Sequence, residues 1–387
     1  MSANRFQFLE FEEEEDPPRL QLGHDSDNPP NHREVHPEIL NDGSALAEVR
    51  ITDPRGYGNF DNEGEAQQIS FLAGRTEPVP TRLSAVEVFG ERGAKAGQFQ
   101  YPTGLALDRG GVLFVADSSQ HRIQRITPSG GVSVIGSRGT GRGQFLSPQG
   151  IATDDDDAFY ILEQDGGRVQ KFTKEGVLVM TFGRPGRGAG EFHQPSAITV
   201  APGSRNIYIA DTGNHRVQRF DPTGRFVSYI GGVMGYESGL DSPQALVAEP
   251  GGSLTIADTF AGRLLRFDPL GRLDRQYGSN PREQIIRRSA IDPVSFYQPR
   301  ALAADPSGLL YVADGGKPDP LTGETQGRVQ CLSYPEGKLV ISVDKLGRSL
   351  GNFLRPGGLA VAASGTGRGD LYVADTMNHR ILRFAWS

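Results

Sequence analysis

The stretch IADTGNHRVQRFD, residues 209 to 221, groups residue types that could perform chemistry. Asp211, Asn214, His215, Arg216 and Arg219 could form a catalytic or metal-binding cluster. The same residues also suit a tight turn, because Asp and Asn side chains hydrogen-bond to nearby backbone N–H groups. A single copy of the stretch is compatible with both interpretations.

The stretch belongs to a repeat, and the repeat decides how it is interpreted. Close copies occupy residues 114–126, 208–220, 255–267 and 372–384, a degraded copy occupies 160–172, and 311–332 is a copy with an inserted loop. A second motif of the type SPQGIA precedes each copy. Its prolines are Pro102, Pro148, Pro195, Pro243, Pro299 and Pro356. The chain therefore contains six units.

Each unit holds four short apolar or alternating runs, each too short for a helix. In the third unit they are 197–200, 206–210, 216–220 and 226–230. The high content of Gly (51) and Pro (26) also favours short strands and turns over helices. The last unit lacks its fourth run, and residues 83–90 supply one. The sequence thus predicts an all-β, six-bladed β-propeller of four-stranded antiparallel blades, with the ring closed by an N-terminal strand.

The two motifs together resemble the NHL repeat over residues 83–387. This resemblance implies a six-bladed propeller that binds protein or, in some members, RNA. Some six-bladed relatives are enzymes, including a zinc-dependent amidating lyase. We therefore expect a non-enzymatic binding or scaffolding protein with a protein or multi-subunit assembly as partner. The alternatives are a metal-dependent lyase or lactone hydrolase, and an RNA-binding module.

The motif histidines are predicted to be structural. His121, His215 and His379 belong to blades 1, 3 and 6, and blades 3 and 6 are opposite in the ring, which separates their histidines by more than about 20 Å. Zinc needs its ligand atoms within about 2 Å. We expect no catalytic residue, metal or cofactor, and a solvated turn at Asp154–Asp157. The predicted structural turn residues are Asp117, His121, Arg122, Asp211, His215, Arg216, Asp258, Arg263, Asp314, Asp375, His379 and Arg380.

Basic residues recur in the loops that lead into the first strand of blades 1 to 3, residues 91–99, 137–145 and 184–192, here called the leading loops. They predict a basic face for an acidic protein segment or nucleic acid, although a merely solvated face is an equal alternative. Aromatic residues do not interleave them, which disfavours RNA. The predicted binding residues are Arg92, Lys95, Arg138, Arg142, Arg184, Arg187, Arg300 and Arg355.

Residues 1–82 form a predicted acidic, Pro-containing and largely irregular N-terminal arm, and 83–387 the propeller. The arm has 17 acidic and 7 basic residues, whereas the remainder has 30 and 33. Its aromatic run, with Phe6, Phe8, Leu9 and Phe11, precedes an acidic run and predicts a docking segment that tethers the chain to a partner, although a plain disordered tail is an equal alternative.

Neither a membrane span nor a secretory signal is visible in the sequence. No apolar run approaches 18 residues, and the N-terminus has no basic region followed by an apolar one. The single cysteine, Cys331, fits a reducing compartment. These features predict a cytoplasmic location.

Overall fold

A computed structural model shows six four-stranded antiparallel sheets arranged as the blades of a β-propeller, which confirms the predicted fold class. The structure describes residues 82–230, 239–249, 251–279, 294–318, 325–344, 347–362 and 369–387, together with two short strands nearer the N-terminus. Those two strands, Glu38–Ile39 and Ala45–Leu46, pair with each other. Contacts divide the chain into two units, Met1–Pro78 and Val79–Ser387. No helix among the described residues is long and apolar enough to cross a membrane.

Each blade runs from an innermost strand at the axis to an outermost strand at the rim. The strands of blades 1 to 3 are Pro102–Leu107, Leu113–Asp117, Arg122–Ile126 and Val132–Ile135; Pro148–Thr153, Phe159–Glu163, Arg168–Phe172 and Leu178–Phe182; and Ala197–Val200, Ile207–Asp211, Arg216–Phe220 and Phe226–Ile230. Those of blades 4 to 6 are Pro243–Ala248, Leu254–Asp258, Arg263–Phe267 and Leu273–Tyr277; Pro299–Asp305, Leu309–Pro318, Thr325–Ser333 and Leu339–Val343; and Pro356–Val361, Leu371–Asp375, Arg380–Trp386 and Leu83–Phe89.

Short elements complete the third leading loop and three of the turns. Arg184–Pro185 and Glu191–Phe192 form a two-residue parallel pair within that loop. Single 3₁₀ turns, Ser118–Gln120, Thr212–Asn214 and Thr376–Asn378, connect the second strand to the third in blades 1, 3 and 6. These turns carry the Asp-Thr-x-Asn-His-Arg type of motif.

The N-terminal strand Leu83–Phe89 is the outermost strand of blade 6. It pairs antiparallel with Arg380–Trp386, and the Arg383 guanidinium and the Glu87 carboxylate form a 2.9 Å ion pair across the two strands. At the axis, blades 6 and 1 approach so closely that a Cβ at Gly358 would overlap the carbonyl oxygen of Thr103. The ring is therefore closed by strand pairing at its rim and by glycine at its centre.

The described residues form six hydrophobic core clusters, one at each interface between neighbouring blades. One buried residue from each leading segment enters a different cluster, namely Phe99, Phe145, Phe192, Leu240, Phe296 and Phe353. Between blades 1 and 2, the Phe114 and Phe159 rings stack with centroids 4.8 Å apart. A buried Phe stabilises the fold by about 3 to 5 kcal/mol relative to Ala. Because Phe99, Phe145 and Phe192 are the last residues of the three leading loops, these loops are anchored at their C-terminal ends.

Candidate functional site

Every blade carries one buried ion pair at the turn between its second and third strands. The acid side chain is fully buried in all six, and the nitrogen–oxygen distances range from 2.7 to 3.0 Å. The pairs are Asp117–Arg122, Glu163–Arg168, Asp211–Arg216, Asp258–Arg263, Asp314–Arg328 and Asp375–Arg380. Sequence reasoning omitted Glu163, Arg168 and Arg328. The degraded copy already placed the first two at the motif positions, and Arg328 follows the inserted loop.

The arginine of each pair also fixes a leading loop. Arg216 donates from Nε to Asp211 at 2.7 Å, and its two terminal nitrogens donate to the backbone carbonyls of Arg187, Gly188 and Glu191 at 2.7 to 3.1 Å. The arginines of blades 1, 2 and 6 likewise each donate to three carbonyls of their own loops. Charged donors make strong hydrogen bonds. The loops and the turns therefore form one surface, here called the loop face.

Hydroxyl groups of the turns in blades 1, 3, 4 and 6 connect each of these blades to the next one. The residue after the buried Asp donates to the carbonyl of the proline that starts the following blade. These bonds run from Ser118 to Pro148, Thr212 to Pro243, Thr259 to Pro299 and Thr376 to Pro102, at 2.6 to 2.8 Å. The last of them crosses from blade 6 to blade 1.

The three motif histidines also bridge blades. Nδ1 of His121 accepts from the Ser147 N–H at 3.0 Å, and Nδ1 of His379 accepts from the Tyr101 N–H at 3.1 Å. Nδ1 of His215 does the same with the Ser242 N–H at 3.3 Å. The histidines thus lie at three different interfaces, and no group of three or more His, Cys, Asp or Glu among the described residues could hold a metal.

His379 lies at the interface where the ring closes. Burial lowers its pKa, and the positive charge of Arg92 lowers it further. The imidazole ring makes an edge contact with Tyr101, with centroids 4.6 Å apart. A neutral ring is required for Nδ1 to accept from the Tyr101 N–H, so the low pKa favours the bonded state.

The leading loops carry their basic side chains outward. Arg92, Lys95, Arg138, Arg142, Arg184 and Arg187 are all exposed. Arg184 pairs with Glu191 at 2.8 Å, whereas the other five form no ion pair with any described residue. Arg348, which sequence reasoning missed, is an exposed cation of the same kind in the segment leading into blade 6.

Arg300 and Arg355 were grouped with the leading-loop cations, and their role in binding stays a prediction. Arg300 is the second residue of an innermost strand, and Arg355 immediately precedes another, and both line a central cavity. Burial, together with the positive charge of Arg355, lowers the pKa of Arg300 to about 10. At neutral pH Arg300 remains a cation.

The central cavity has a volume of about 620 Å³ and is walled by the innermost strands. The end nearest the loop face is polar, with Gln149, Gln194, Gln244 and the two arginines. Residues such as Leu107, Val247 and Val361 lie further along the strands. A polar, cationic mouth of this kind suits an anion better than an apolar ligand.

The prediction of a solvated turn at Asp154–Asp157 is wrong for Asp154. Its side chain is fully buried and accepts from Lys171 Nζ and Tyr160 Oη, each at 3.0 Å. The following three aspartates contact neighbouring blades, since Asp157 pairs with Arg109, Asp156 pairs with Arg205, and Asp155 accepts from the Gly203 N–H. The run therefore connects three blades on the face opposite the loop face.

The predicted docking residues Phe6, Phe8, Leu9 and Phe11 lie outside the described residues, and their role stays a prediction.

Comparison with known proteins agrees with this geometry. The NHL repeat family model matches residues 99–126 and 192–220, and no curated protein matches the sequence. A Bacteroides thetaiotaomicron protein of unknown function is similar in structure, with a TM-score of 0.58, 16% identity and coverage of 79% of this chain and 76% of its own.

Two enzymes also share the fold. A gluconolactonase from Xanthomonas campestris has a TM-score of 0.53 and 15% identity over 81% of this chain and 99% of its own. A virginiamycin B lyase from Staphylococcus aureus has a TM-score of 0.50 and 13% identity over 79% and 99%. At these identities the likeness extends to the fold alone.

Proposed function

Because this chain is a six-bladed β-propeller of the NHL-repeat family, we propose that its loop face binds an acidic partner protein and that the chain serves as a binding scaffold. The observation that carries the proposal is the row of five exposed leading-loop cations without an ion pair among the described residues, Arg92, Lys95, Arg138, Arg142 and Arg187. Unpaired surface cations attract an acidic ligand and raise its association rate.

The rigidity of the leading loops supports the same function. Each loop is anchored by a buried Phe at its end and by a buried arginine that binds three of its carbonyls. A surface that is already ordered loses little conformational entropy when a partner binds. The motif residues are engaged in holding these loops, which leaves the outward side chains for recognition.

The test compares the full chain with two variants. A labelled ten-residue poly-glutamate peptide should bind at low salt and weaken as salt is added. The double variant Arg138→Gln/Arg142→Gln should bind it about threefold to tenfold more weakly, because exposed ion pairs contribute up to about 1 kcal/mol each. Arg225→Gln is the matched control, since Arg225 is exposed in a turn on the opposite face. It should leave binding unchanged.

Two results would count against the proposal. The first is absence of peptide binding at low salt, or an equal loss in Arg225→Gln. The second is tighter binding of a ten-nucleotide single-stranded RNA than of the peptide, with the same arginine dependence. That result would assign the face to nucleic acid instead.

A further inference from the structure

The central cavity has an unbalanced charge. Among the described residues that line it, the ionisable ones are Tyr101, Arg300 and Arg355, and none is a carboxylate. Two guanidinium groups therefore share one cavity without an acid in its wall. Like charges in a partly desolvated space repel each other, and an anion between them would remove that cost.

The hydrogen bonds that hold the Arg300 side chain do not neutralise its positive charge. Its terminal nitrogens donate to the side-chain oxygens of Gln244 and Gln298, which carry no charge, and its buried Nε has no hydrogen-bond partner within the described part of the chain. Asp314 is the acid whose negative charge interacts with the Arg300 guanidinium. That carboxylate is already bound by Arg328 at 2.9 Å and by the Gln298 N–H at 2.7 Å.

Arg355 supplies the second charge from the neighbouring blade. Its side chain is exposed and forms neither an ion pair nor a hydrogen bond with any described residue, while its backbone carbonyl accepts from the Thr376 N–H at 3.0 Å. The backbone is thus fixed by the blade 6 turn while the guanidinium is left at the cavity. The planar guanidinium group of arginine matches the geometry of carboxylate and phosphate oxygens, so both arginines suit an anionic ligand.

We propose that the mouth of the central cavity binds a small dianion, either a dicarboxylate or a phosphate, between Arg300 and Arg355. The volume of about 620 Å³ is in the range of small-molecule sites. The side chains of Gln149 and Gln194 line the same cavity and offer hydrogen bonds to the rest of the ligand. This site is separate from the leading-loop cations and does not depend on them.

Isothermal titration of the full chain with three probes tests the site. Succinate presents two carboxylates, inorganic phosphate presents a compact dianion, and succinamide has the shape of succinate without its charge. We expect succinate or phosphate to bind, and the tighter of the two identifies the source of the charge. Succinamide should bind at least about tenfold more weakly than succinate, since hydrogen bonds to a charged group are the stronger ones.

Two variants and one control locate the binding. Arg355→Gln and Arg300→Gln should each weaken the bound anion at least about tenfold. Arg142→Gln, which removes a leading-loop cation, should leave it unchanged. If Arg300→Gln fails to fold, as judged by circular dichroism, Arg355→Gln still decides the matter, because the exposed side chain of Arg355 forms neither an ion pair nor a hydrogen bond with any residue that the structure describes.

The proposal is overturned if neither anion binds at low salt, if succinamide binds as well as succinate and phosphate does not bind, or if Arg355→Gln binds like the unaltered chain. If Arg355→Gln loses anion binding but still binds the peptide, the cavity and the loop face are separate sites. Only the loop-face proposal predicts that Arg138→Gln/Arg142→Gln has an effect.

Discussion

Replacement of Arg216 by Met tests whether the motif arginines hold the loop face. Met keeps most of the apolar stem but removes the guanidinium that joins Asp211 to the third leading loop. Asp211 would remain fully buried with its charge, and the carbonyls of Arg187, Gly188 and Glu191 would each lose the hydrogen bond from Arg216. The substitution therefore breaks a buried ion pair and removes three of the hydrogen bonds that hold the loop.

The magnitude follows from the burial of the pair. The side chain of Arg216 is 12% exposed and that of Asp211 is 0% exposed, so water screens their interaction little. Removal of one partner from a buried pair costs about 3 to 5 kcal/mol. In a domain of this size each kcal/mol lowers Tm by about 1.6 °C, so we expect a decrease of about 5 to 8 °C.

Thermal and urea unfolding of matched variants provide the measurement. Arg272→Met is the control, because Arg272 is 74% exposed and its pair with Asp268 should contribute less than about 1 kcal/mol. Adding Asp211→Asn to Arg216→Met should recover part of the loss, since the buried charge is then removed. If Arg216→Met and Arg272→Met lower Tm equally, the argument from burial is wrong.

Two further predictions concern the closure of the ring. His379→Ala should lower Tm at pH 8, because the Tyr101 N–H loses its acceptor. Burial holds the pKa of His379 in the folded state below the ordinary value of 6.5, so the unaltered chain should lose stability as pH falls below 6.5. In melts from pH 7 to 5 the variant should lose less stability than the unaltered chain. A chain that begins at residue 91 lacks the strand Leu83–Phe89 and should melt lower and aggregate, whereas a chain that begins at residue 82 should not; equal light scattering and Tm for the two would contradict the role of the closing strand.

The fold could be predicted from the sequence because the same two motifs recur in six units. Turn residues recur at fixed offsets, and the third-blade strand predicted at 206–210 lies within one residue of the observed Ile207–Asp211. Even the closing strand followed from counting, since blade 6 lacked one strand and residues 83–90 offered it. The spacing of residues within one unit is enough to predict the fold, because every repeat packs against neighbouring repeats of the same kind.

The side-chain environments could not be predicted in the same way. Asp154 is in a turn that other blades fill with Gly or Pro, yet Tyr160 and Lys171 surround it here, and both come from later strands of the same blade. Arg300 is one residue after a motif proline, and that offset points it at the axis rather than at the loops. Such placements depend on which residues neighbouring strands present, which spacing along one unit does not reveal.

Departures from the repeat are therefore the informative positions. The motif acids, arginines, hydroxyls and histidines are all engaged in holding turns, loops and blades together, so their presence says little about a ligand. The position after each motif proline faces the axis. Across the six blades it holds Thr103, Gln149, Ser196, Gln244, Arg300 and Gly357. In blade 5 this position holds a half-buried cation whose hydrogen bonds with described residues go to uncharged side chains, and its burial costs desolvation energy. An anionic ligand would account for it.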